Sequence, residues 1–213
     1  TYQINSEHDQ KGRQVAVLEM NRTCTWLTGN ELRPIDEFAW KELLAGGYGV
    51  ISLAANELND KLSRRAFFSK NCSYCCPLII FLTDGATSSL DEEAFDAVAT
   101  LNNNRWFQRS TKIAISIPEV FDAQMLYELV GDRDAILTLP LQAPLDEILY
   151  GCIEYASYPD TNMSCQHKTL GGAVCARIRD EYLLQPNECL NCIVEKEEST
   201  INDDDDWGED WPR

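Results

Sequence analysis

Residues 77–85, PLIIFLTDG, contain the apolar run that decides how this chain folds. Five apolar residues, Leu78 to Leu82, stand without interruption between a proline and a Thr-Asp-Gly turn. Such a run is too short for a buried helix and rich in residues that favour a pleated surface, so it predicts a strand covered on both faces. We expect it to be the central strand of a parallel sheet. Asp84 then stands at the carboxyl end of that strand, where open α/β sheets bind ligands.

Strand and helix patterns alternate along the rest of the chain. The predicted strands are residues 14–20, 111–117 and 135–139, and the predicted helices begin at the Gly46 and Gly47 pair and at residues 89, 121 and 145. This alternation gives right-handed crossovers and a doubly wound, mostly parallel α/β sheet. At 213 residues the chain has room for one such domain and a smaller appendage. We expect an α/β domain over residues 1–157, a Cys- and His-rich segment over 158–193 and an acidic tail over 194–213.

The composition excludes several classes of partner. A formal net charge of -17 argues against nucleic acid and against an anionic membrane surface, because both would repel the chain. The apolar runs are too short to span a membrane, and the first residues lack the apolar centre of a signal peptide. These features predict a soluble, cytoplasmic protein. Because the sequence begins with Thr1, we also expect it to be a piece of a longer protein.

Four separated segments together resemble a known family. They are KELLAGGYGVISLAANELNDKLS at residues 41–63, PLIIFLTDG at 77–85, LNNNRWFQRSTKIAISI at 101–117 and FDAQMLYELVGDRDAILTL at 121–139. In this order they resemble the von Willebrand factor A (VWA) domains of the bacterial TerY-like type, over roughly residues 14–156. The resemblance implies a Rossmann-like sheet with a metal-ion-dependent adhesion site at its carboxyl edge.

Most of that adhesion site is missing from this sequence. The family builds it from a D-x-S-x-S loop after the first strand, a threonine just after a Gly-Gly pair and the aspartate of a T/S-D-G turn. These oxygen ligands suit magnesium. Of the three elements, only Asp84 is plainly present, and Tyr48 and Gly49 stand where the family has its threonine.

Residues 19–23, EMNRT, resemble a D-x-S-x-S loop that has lost most of its ligands. The short distance along the chain to Gly46 argues against that role. Only 26 residues separate Glu19 from Gly46, too few for the helix and the two strands that intervene in the family. The segment more closely resembles the family's third strand, which leaves the first strand and its metal loop absent. We therefore expect magnesium binding to be weak or absent, with Asp84 either a remnant ligand or a turn residue bonded to its own backbone.

Cysteine and histidine residues concentrate after residue 158. Nine cysteines cannot form a complete intramolecular disulfide framework, since the count is odd. A C-x-x-C pair offers two thiolates to a tetrahedral metal, and a short segment would draw much of its folding free energy from that metal. We expect Gly171 and Gly172 to provide a flexible turn between the two halves of this segment. We predict a zinc site, while unliganded thiols and an iron–sulfur cluster stay open as alternatives. The candidate ligands are Cys165, His167, Cys175, Cys189 and Cys192, with His167 the natural substitute for Cys165.

The last twenty residues are strongly acidic and contain two tryptophans. Residues 194–213 hold nine acidic residues against Lys196 and Arg213, which predicts a disordered segment. Trp207 and Trp211 interrupt the acids, and tryptophan is a favoured anchor at interfaces. The tail is therefore either a solvating segment or a docking motif for a basic protein partner.

Two functions compete at this point. The first is a non-enzymatic protein–protein interaction or scaffold module of VWA type with a degenerate adhesion site, which the family resemblance places in a bacterial stress-response or signalling complex. The second is a metal-dependent hydrolase-like enzyme on a Rossmann-like sheet. The sequence lacks a G-x-G-x-x-G fingerprint, a phosphate-binding loop and a nucleophile elbow, and both histidines lie outside the predicted sheet. We therefore assign no catalytic residues and favour the interaction module.

Overall fold

The computed structural model of this chain describes residues 13–29, 31–39, 49–68, 77–83, 92–117, 123–157 and 168–183. The strands there are β1 (Gln14–Val15), β2 (Leu18–Met20), β3 (Cys24–Trp26), β4 (Arg33–Pro34), β5 (Leu78–Thr83), β6 (Thr111–Ser116) and β7 (Ile136–Thr138). The α-helices are α1 (Ile51–Lys61), α2 (Glu92–Asn102), α3 (Arg105–Arg109), α4 (Ala123–Val130), α5 (Leu145–Ser157) and α6 (Leu170–Ile178). From β5 to α5, strands alternate with helices, as the sequence pattern predicts for an α/β fold.

A parallel three-stranded sheet is the centre of this fold. Its order is β5-β6-β7, and both pairs are parallel. The apolar run at residues 78–82 forms a strand as predicted, and among the described strands it lies at one end of the sheet, so its central position stays a prediction. Ile113, Ala114 and Ile115 of β6 are fully buried, whereas every residue of β5 keeps some solvent exposure. The middle strand of the described sheet is therefore β6.

The sheet separates two apolar layers. Because side chains alternate along a strand, Ala114 faces one layer and its neighbours Ile113 and Ile115 face the other. The first layer, around Ala114, contains buried residues of α1, α2, α3 and α4. The second layer contains buried residues of β7, α5 and α6. Helices therefore cover both faces of the sheet, which is the arrangement that parallel strands require.

Local signals fix several of the helix ends. Gly131 ends α4 with φ 75°, a left-handed conformation that glycine adopts without strain and that commonly closes a helix. Asn104 caps the short helix α3, because its side chain accepts hydrogen bonds from the backbone N–H groups of Trp106 and Phe107. The same side chain donates to the backbone oxygens of Asn59 and Leu62, and thereby ties α3 to the end of α1.

Two small antiparallel pairs flank the central sheet. The predicted strand at residues 14–20 is divided between β1, which pairs with β4, and β2, which pairs with β3. Trp26 Nε1–H of β3 donates to Glu57 Oε2 of α1 at 3.1 Å, which attaches the second pair to the helices. Arg13 Nη1 lies 2.7 Å from Glu154 Oε1 of α5, next to the first pair.

Helix α6 lies on the sheet, in a region where the sequence predicted a turn. Gly171 and Gly172 are buried inside the helix, so the expectation that they provide a flexible turn is wrong. Residues 168–183, part of the predicted Cys-rich segment, pack on the second face of the sheet as part of the α/β core. Residues 158–167 and 184–193 lie outside the described residues, so the boundaries of that segment stay a prediction. No helix within the described ranges is both long and apolar enough to cross a bilayer.

Candidate functional site

The carboxyl edge of the sheet presents a row of three hydroxyl side chains. In the parallel register, Thr83 of β5 is the partner of Ser116 of β6, which is in turn the partner of Thr138 of β7. Ser116 is two residues beyond Ala114 and so points to the same face, under the layer formed by α1 to α4. Residues paired in register share a face, so the three hydroxyls form a line across the end of the sheet.

Ser116 is the most enclosed of the three. It is 0% exposed, and its Oγ has no hydrogen-bond partner in the described part of the chain. Its backbone carbonyl oxygen accepts from the N–H of Leu139 at 2.8 Å. A buried hydroxyl without a partner is unfavourable, and such groups occur often where a fold serves something other than packing.

Asp84 follows Thr83 directly and lies outside the described residues, as do Gly46, Gly47 and Tyr48. The position of Thr83 at the end of β5 nevertheless fixes where the chain leaves the sheet, next to the hydroxyl row. Whether Asp84 is a remnant magnesium ligand or a turn residue therefore stays a prediction. The structure adds that Gly49 lies against Met20, whose Cε is 2.9 Å from the place a Cβ would occupy.

The segment at residues 19–23, which resembles an incomplete D-x-S-x-S loop, is part of a β-hairpin. Residues 19–23 continue β2 into a turn that leads to β3, with Glu19 opposite Thr25 and Met20 opposite Cys24. Within the turn, Asn21 Oδ1 accepts from the backbone N–H of Thr23 at 2.8 Å and from its hydroxyl at 3.1 Å. The polar side chains of this turn therefore bond to one another, and β2 and β3 form a sheet separate from the one that holds β5.

The described groups with shifted pKa values lie away from the hydroxyl row. Lys112, at the amino end of β6, has a lowered pKa because partial burial disfavours its charge. Burial, followed by the nearby Glu57 carboxylate, raises the pKa of Cys24. Burial and the hydrogen bond to Glu181 raise the pKa of Tyr155 to about 12.

Cys175, one of the five predicted zinc ligands, lies in the apolar layer between α6 and α5. It is 0% exposed, and burial raises the pKa of its thiol further than any other effect. Cys152 of α5 is equally buried, and burial raises the pKa of that thiol to about 12. In this position Cys175 packs as an apolar side chain, and binding zinc would require α6 to leave the sheet.

The remaining predicted ligands, Cys165, His167, Cys189 and Cys192, lie outside the described residues, and so do Trp207 and Trp211 of the acidic tail. Over the described ranges, no three or more His, Cys, Asp or Glu side chains come together as a metal site would require. The zinc site and the docking tail therefore stay predictions.

Sequence reasoning missed the hydroxyl row, although a signal for it exists. Each of the three parallel strands ends with a hydroxyl residue, as the segments FLT, AIS and ILT show. The hydroxyls come together only if the strands are neighbours with their ends level. The register of β5, β6 and β7 meets that condition.

Comparisons with known proteins give one similarity. No protein-family model matches the chain, and no curated protein matches it. Among solved structures, the chain is similar to proximal thread matrix protein 1 (PTMP1) from the mussel byssus, with 16% identity and a TM-score of 0.46. That match covers 61% of this chain and 33% of PTMP1.

A second PTMP1 structure, described as having a zinc occupied MIDAS motif, is similar at the same identity and TM-score. It covers 64% of this chain and 34% of that protein. The chain therefore spans about a third of the solved protein it matches.

Proposed function

We propose that this chain is a non-enzymatic protein–protein interaction module of VWA type, whose metal-ion-dependent adhesion site is degenerate. The observation that carries the proposal is the carboxyl edge of the sheet. There the described strands end in three neutral hydroxyl residues, and Ser116, at the centre of the row, is sealed from solvent. This edge is the place where open α/β sheets bind their ligands.

The described chemistry of the edge supports weak magnesium binding. Magnesium prefers near-octahedral oxygen ligands with one or two carboxylates. Asp84 is the carboxylate that follows β5 directly, and the segment that could have supplied more oxygens, residues 19–23, is a hairpin of a different sheet. Asn21 already accepts two hydrogen bonds within that hairpin. One carboxylate and a row of hydroxyls would hold magnesium poorly.

The sequence supports binding over catalysis. It lacks a G-x-G-x-x-G fingerprint, a phosphate-binding loop and a nucleophile elbow, and the VWA domains that it resembles act as scaffolds.

The proposed partner is a basic protein that meets the acidic tail. A net charge of -17 favours association with positively charged surfaces, and Trp207 and Trp211 would supply apolar anchors among the acids. A bacterial stress-response or signalling complex in the cytoplasm is the setting that the family resemblance suggests. Zinc bound by Cys189 and Cys192, together with Cys165 or His167, would order the segment between the sheet and the tail.

A pull-down with the full chain and two variants tests the proposed partner contact. Trp207→Ala with Trp211→Ala removes the anchors and keeps the acids, whereas Asn replacement of the acids at 203–206 keeps the anchors and removes charge. We expect the first variant to lose the partner, and the second to bind it with a weaker dependence on salt. A partner retained by both variants at wild-type affinity would contradict docking through the tail.

A further inference from the structure

A basic patch lies near the amino end of the described sheet of this acidic chain. Two segments build it, residues 59–68 at the end of α1 and residues 103–112, which contain α3 and the start of β6. These segments contain one acidic residue, Asp60, and six basic residues, which are Lys61, Arg64, Arg65, Arg105, Arg109 and Lys112. The formal net charge of the basic patch is therefore +5, whereas that of the whole chain is -17.

Direct contacts hold the two segments of the basic patch together. Asn104 Nδ2 donates to the backbone oxygen of Leu62 at 3.2 Å, which joins the start of α3 to the end of α1. The ring of Phe68 stacks on that of Trp106, with 4.4 Å between the ring centroids. The turn at residues 63–68 therefore lies against α3, and its two arginines are neighbours of the arginines of that helix.

The positive charges of the basic patch are exposed and are not neutralised by described neighbours. Its exposed members are Arg64, Arg65, Arg105 and Arg109. None of the four forms an ion pair with a carboxylate in the part of the chain that the structure describes. Arg105 and Arg109 are four residues apart, so they lie on one face of α3. The next segment of the chain, residues 69–76, contains Lys70 and no acidic residue, so its sequence adds further positive charge.

We propose that the acidic tail, residues 194–213, folds back and docks on the basic patch of the same chain. Residues 203–210, DDDDWGED, hold six carboxylates in eight positions. A guanidinium group binds a carboxylate through two parallel hydrogen bonds, and it also stacks on aromatic rings such as those of Trp207 and Trp211. The acidic tail and the basic patch are therefore complementary in charge and in the kind of side chain.

The covalent connection favours the chain's own tail over a separate anion. Asp203 is 20 residues beyond Leu183, the last residue that the structure describes. A flexible chain of that length spans about 25 Å on average and up to about 66 Å when extended. A domain of about 150 residues has a radius of gyration of about 15 Å, so this length reaches any part of its surface. The tether gives the tail an effective concentration of about millimolar, whereas the net charge of the chain repels a separate polyanion.

Docking of the tail on the basic patch would make the patch an internal competitor of a basic partner. Such a partner must displace the tail from the basic patch before it can bind the tail. Removal of the patch charges should therefore tighten the binding of a basic partner. The docking itself does not rest on the proposed function, because the tail can occupy the basic patch whether or not a partner exists.

Cross-linking of the full chain with a carbodiimide tests the proposal, since this reagent joins a carboxylate to a lysine amine in direct contact. Arg65→Lys keeps the charge of the basic patch and places a reactive amine in it. We expect peptide mass spectrometry to find links from this amine and from Lys61 to residues 203–210. These links should fall about tenfold between about 0.1 M and about 1 M salt, because the Debye length falls from about 10 Å to about 3 Å.

Two double variants of the Arg65→Lys chain show whether the basic patch is the docking surface. Arg64→Glu with Arg105→Glu reverses two charges of the patch and should reduce the links about tenfold. The matched control is Arg22→Glu with Arg33→Glu, which changes the net charge equally at two exposed arginines, in the β2–β3 turn and in β4. We expect this control to keep the links near their original yield.

A change confined to the tail tests the same contact without altering the described domain. Asn replacement of the aspartates at 203–206 should reduce the links that Glu209 and Asp210 make to the basic patch. Absence of any link between the tail and the patch would overturn the proposal, and so would equal yields in the two double variants. A mixture of ¹⁴N- and ¹⁵N-labelled chains that gives the links only between different chains would overturn it as well, because the occupant would then be a second copy. A pull-down without a basic partner leaves these links unchanged, so the two proposals fail separately.

Discussion

Replacing Gly171 by alanine should separate helix α6 from the sheet. A Cβ at this position would lie 3.2 Å from Ala135 Cβ and much closer than 3.0 Å to the backbone oxygen of Lys112, a distance that real Cβ atoms essentially never show. Lys112 belongs to β6, the middle strand of the described sheet, so its carbonyl cannot move aside as a flexible side chain would. The helix must therefore retreat, and Val174 and Ile178, both fully buried, lose contact with the sheet.

The size of the effect follows from two opposing terms. Forcing a methyl group into a packed interior costs roughly 1–3 kcal/mol, and a contact with rigid backbone belongs at the upper end. Alanine also favours the helix by about 1 kcal/mol relative to glycine. The net loss of unfolding free energy is then about 2 kcal/mol, which for a chain of this length lowers the melting temperature by roughly 4–8 °C.

Gly151→Ala in helix α5 is the matched control for this prediction. Its added Cβ would meet the Cδ1 of Ile178 at 2.6 Å, the end of a flexible side chain that can rotate away. The same gain in helix propensity applies, so we expect a change within about 1 kcal/mol of wild type. Thermal and urea unfolding followed by circular dichroism measure both variants. A Gly171→Ala protein as stable as the Gly151→Ala protein would refute the close packing of α6 on β6.

Three further predictions concern stability and thiol chemistry. Because burial raises the pKa of Cys152 to about 12 from 9.0, its contribution to stability is complete below pH 9 and is lost as the pH rises toward 12. In urea titrations the loss of unfolding free energy at pH 10 should be about 1.4 kcal/mol smaller for Cys152→Ala than for wild type, which also loses stability through Cys175; equal losses would contradict the effect of burial on Cys152. Asn104→Ala removes a helix cap and two hydrogen bonds to α1 and its end, and should cost about 2 kcal/mol by urea unfolding. Asn104→Ser keeps a capping hydroxyl and should cost less; equal losses would contradict the capping role. Glu57→Gln removes the carboxylate that helps to raise the pKa of Cys24, so Cys24 should be alkylated faster at pH 8, as measured by peptide mass spectrometry. An unchanged rate of alkylation would mean that burial alone raises the pKa of this thiol.

Elements with strong local patterns were predictable from the sequence. The apolar run at 78–82 and the segment at 111–117 form β5 and β6, and the helix predicted from residue 121 corresponds to α4, which Gly131 closes in a left-handed conformation. The helical spacing after the Gly46 and Gly47 pair corresponds to α1, although the helix begins later, at Ile51.

Features set by distant contacts were not predictable from local pattern. Strand order is one such feature, because β6 and not β5 lies in the middle of the three described parallel strands, and hydrophobicity alone does not distinguish the two. Gly171 and Gly172 were predicted to form a turn because glycine disfavours helices. Gly171 instead allows α6 to approach the backbone of β6, and Gly172 lies beside Asp132. Cys175 was predicted to be a metal ligand because of its position among the other cysteines, but α6 places its side chain in an apolar layer. The hydroxyl row likewise depends on strand register.

Isothermal titration of the full chain with magnesium tests the central claim most directly. A degenerate adhesion site with Asp84 as its remaining carboxylate predicts weak binding or no measurable heat. Asp84→Ala should then leave the titration nearly unchanged. Binding in the micromolar range that Asp84→Ala abolishes would contradict the account, because it would show a complete cation site at the carboxyl edge of the sheet.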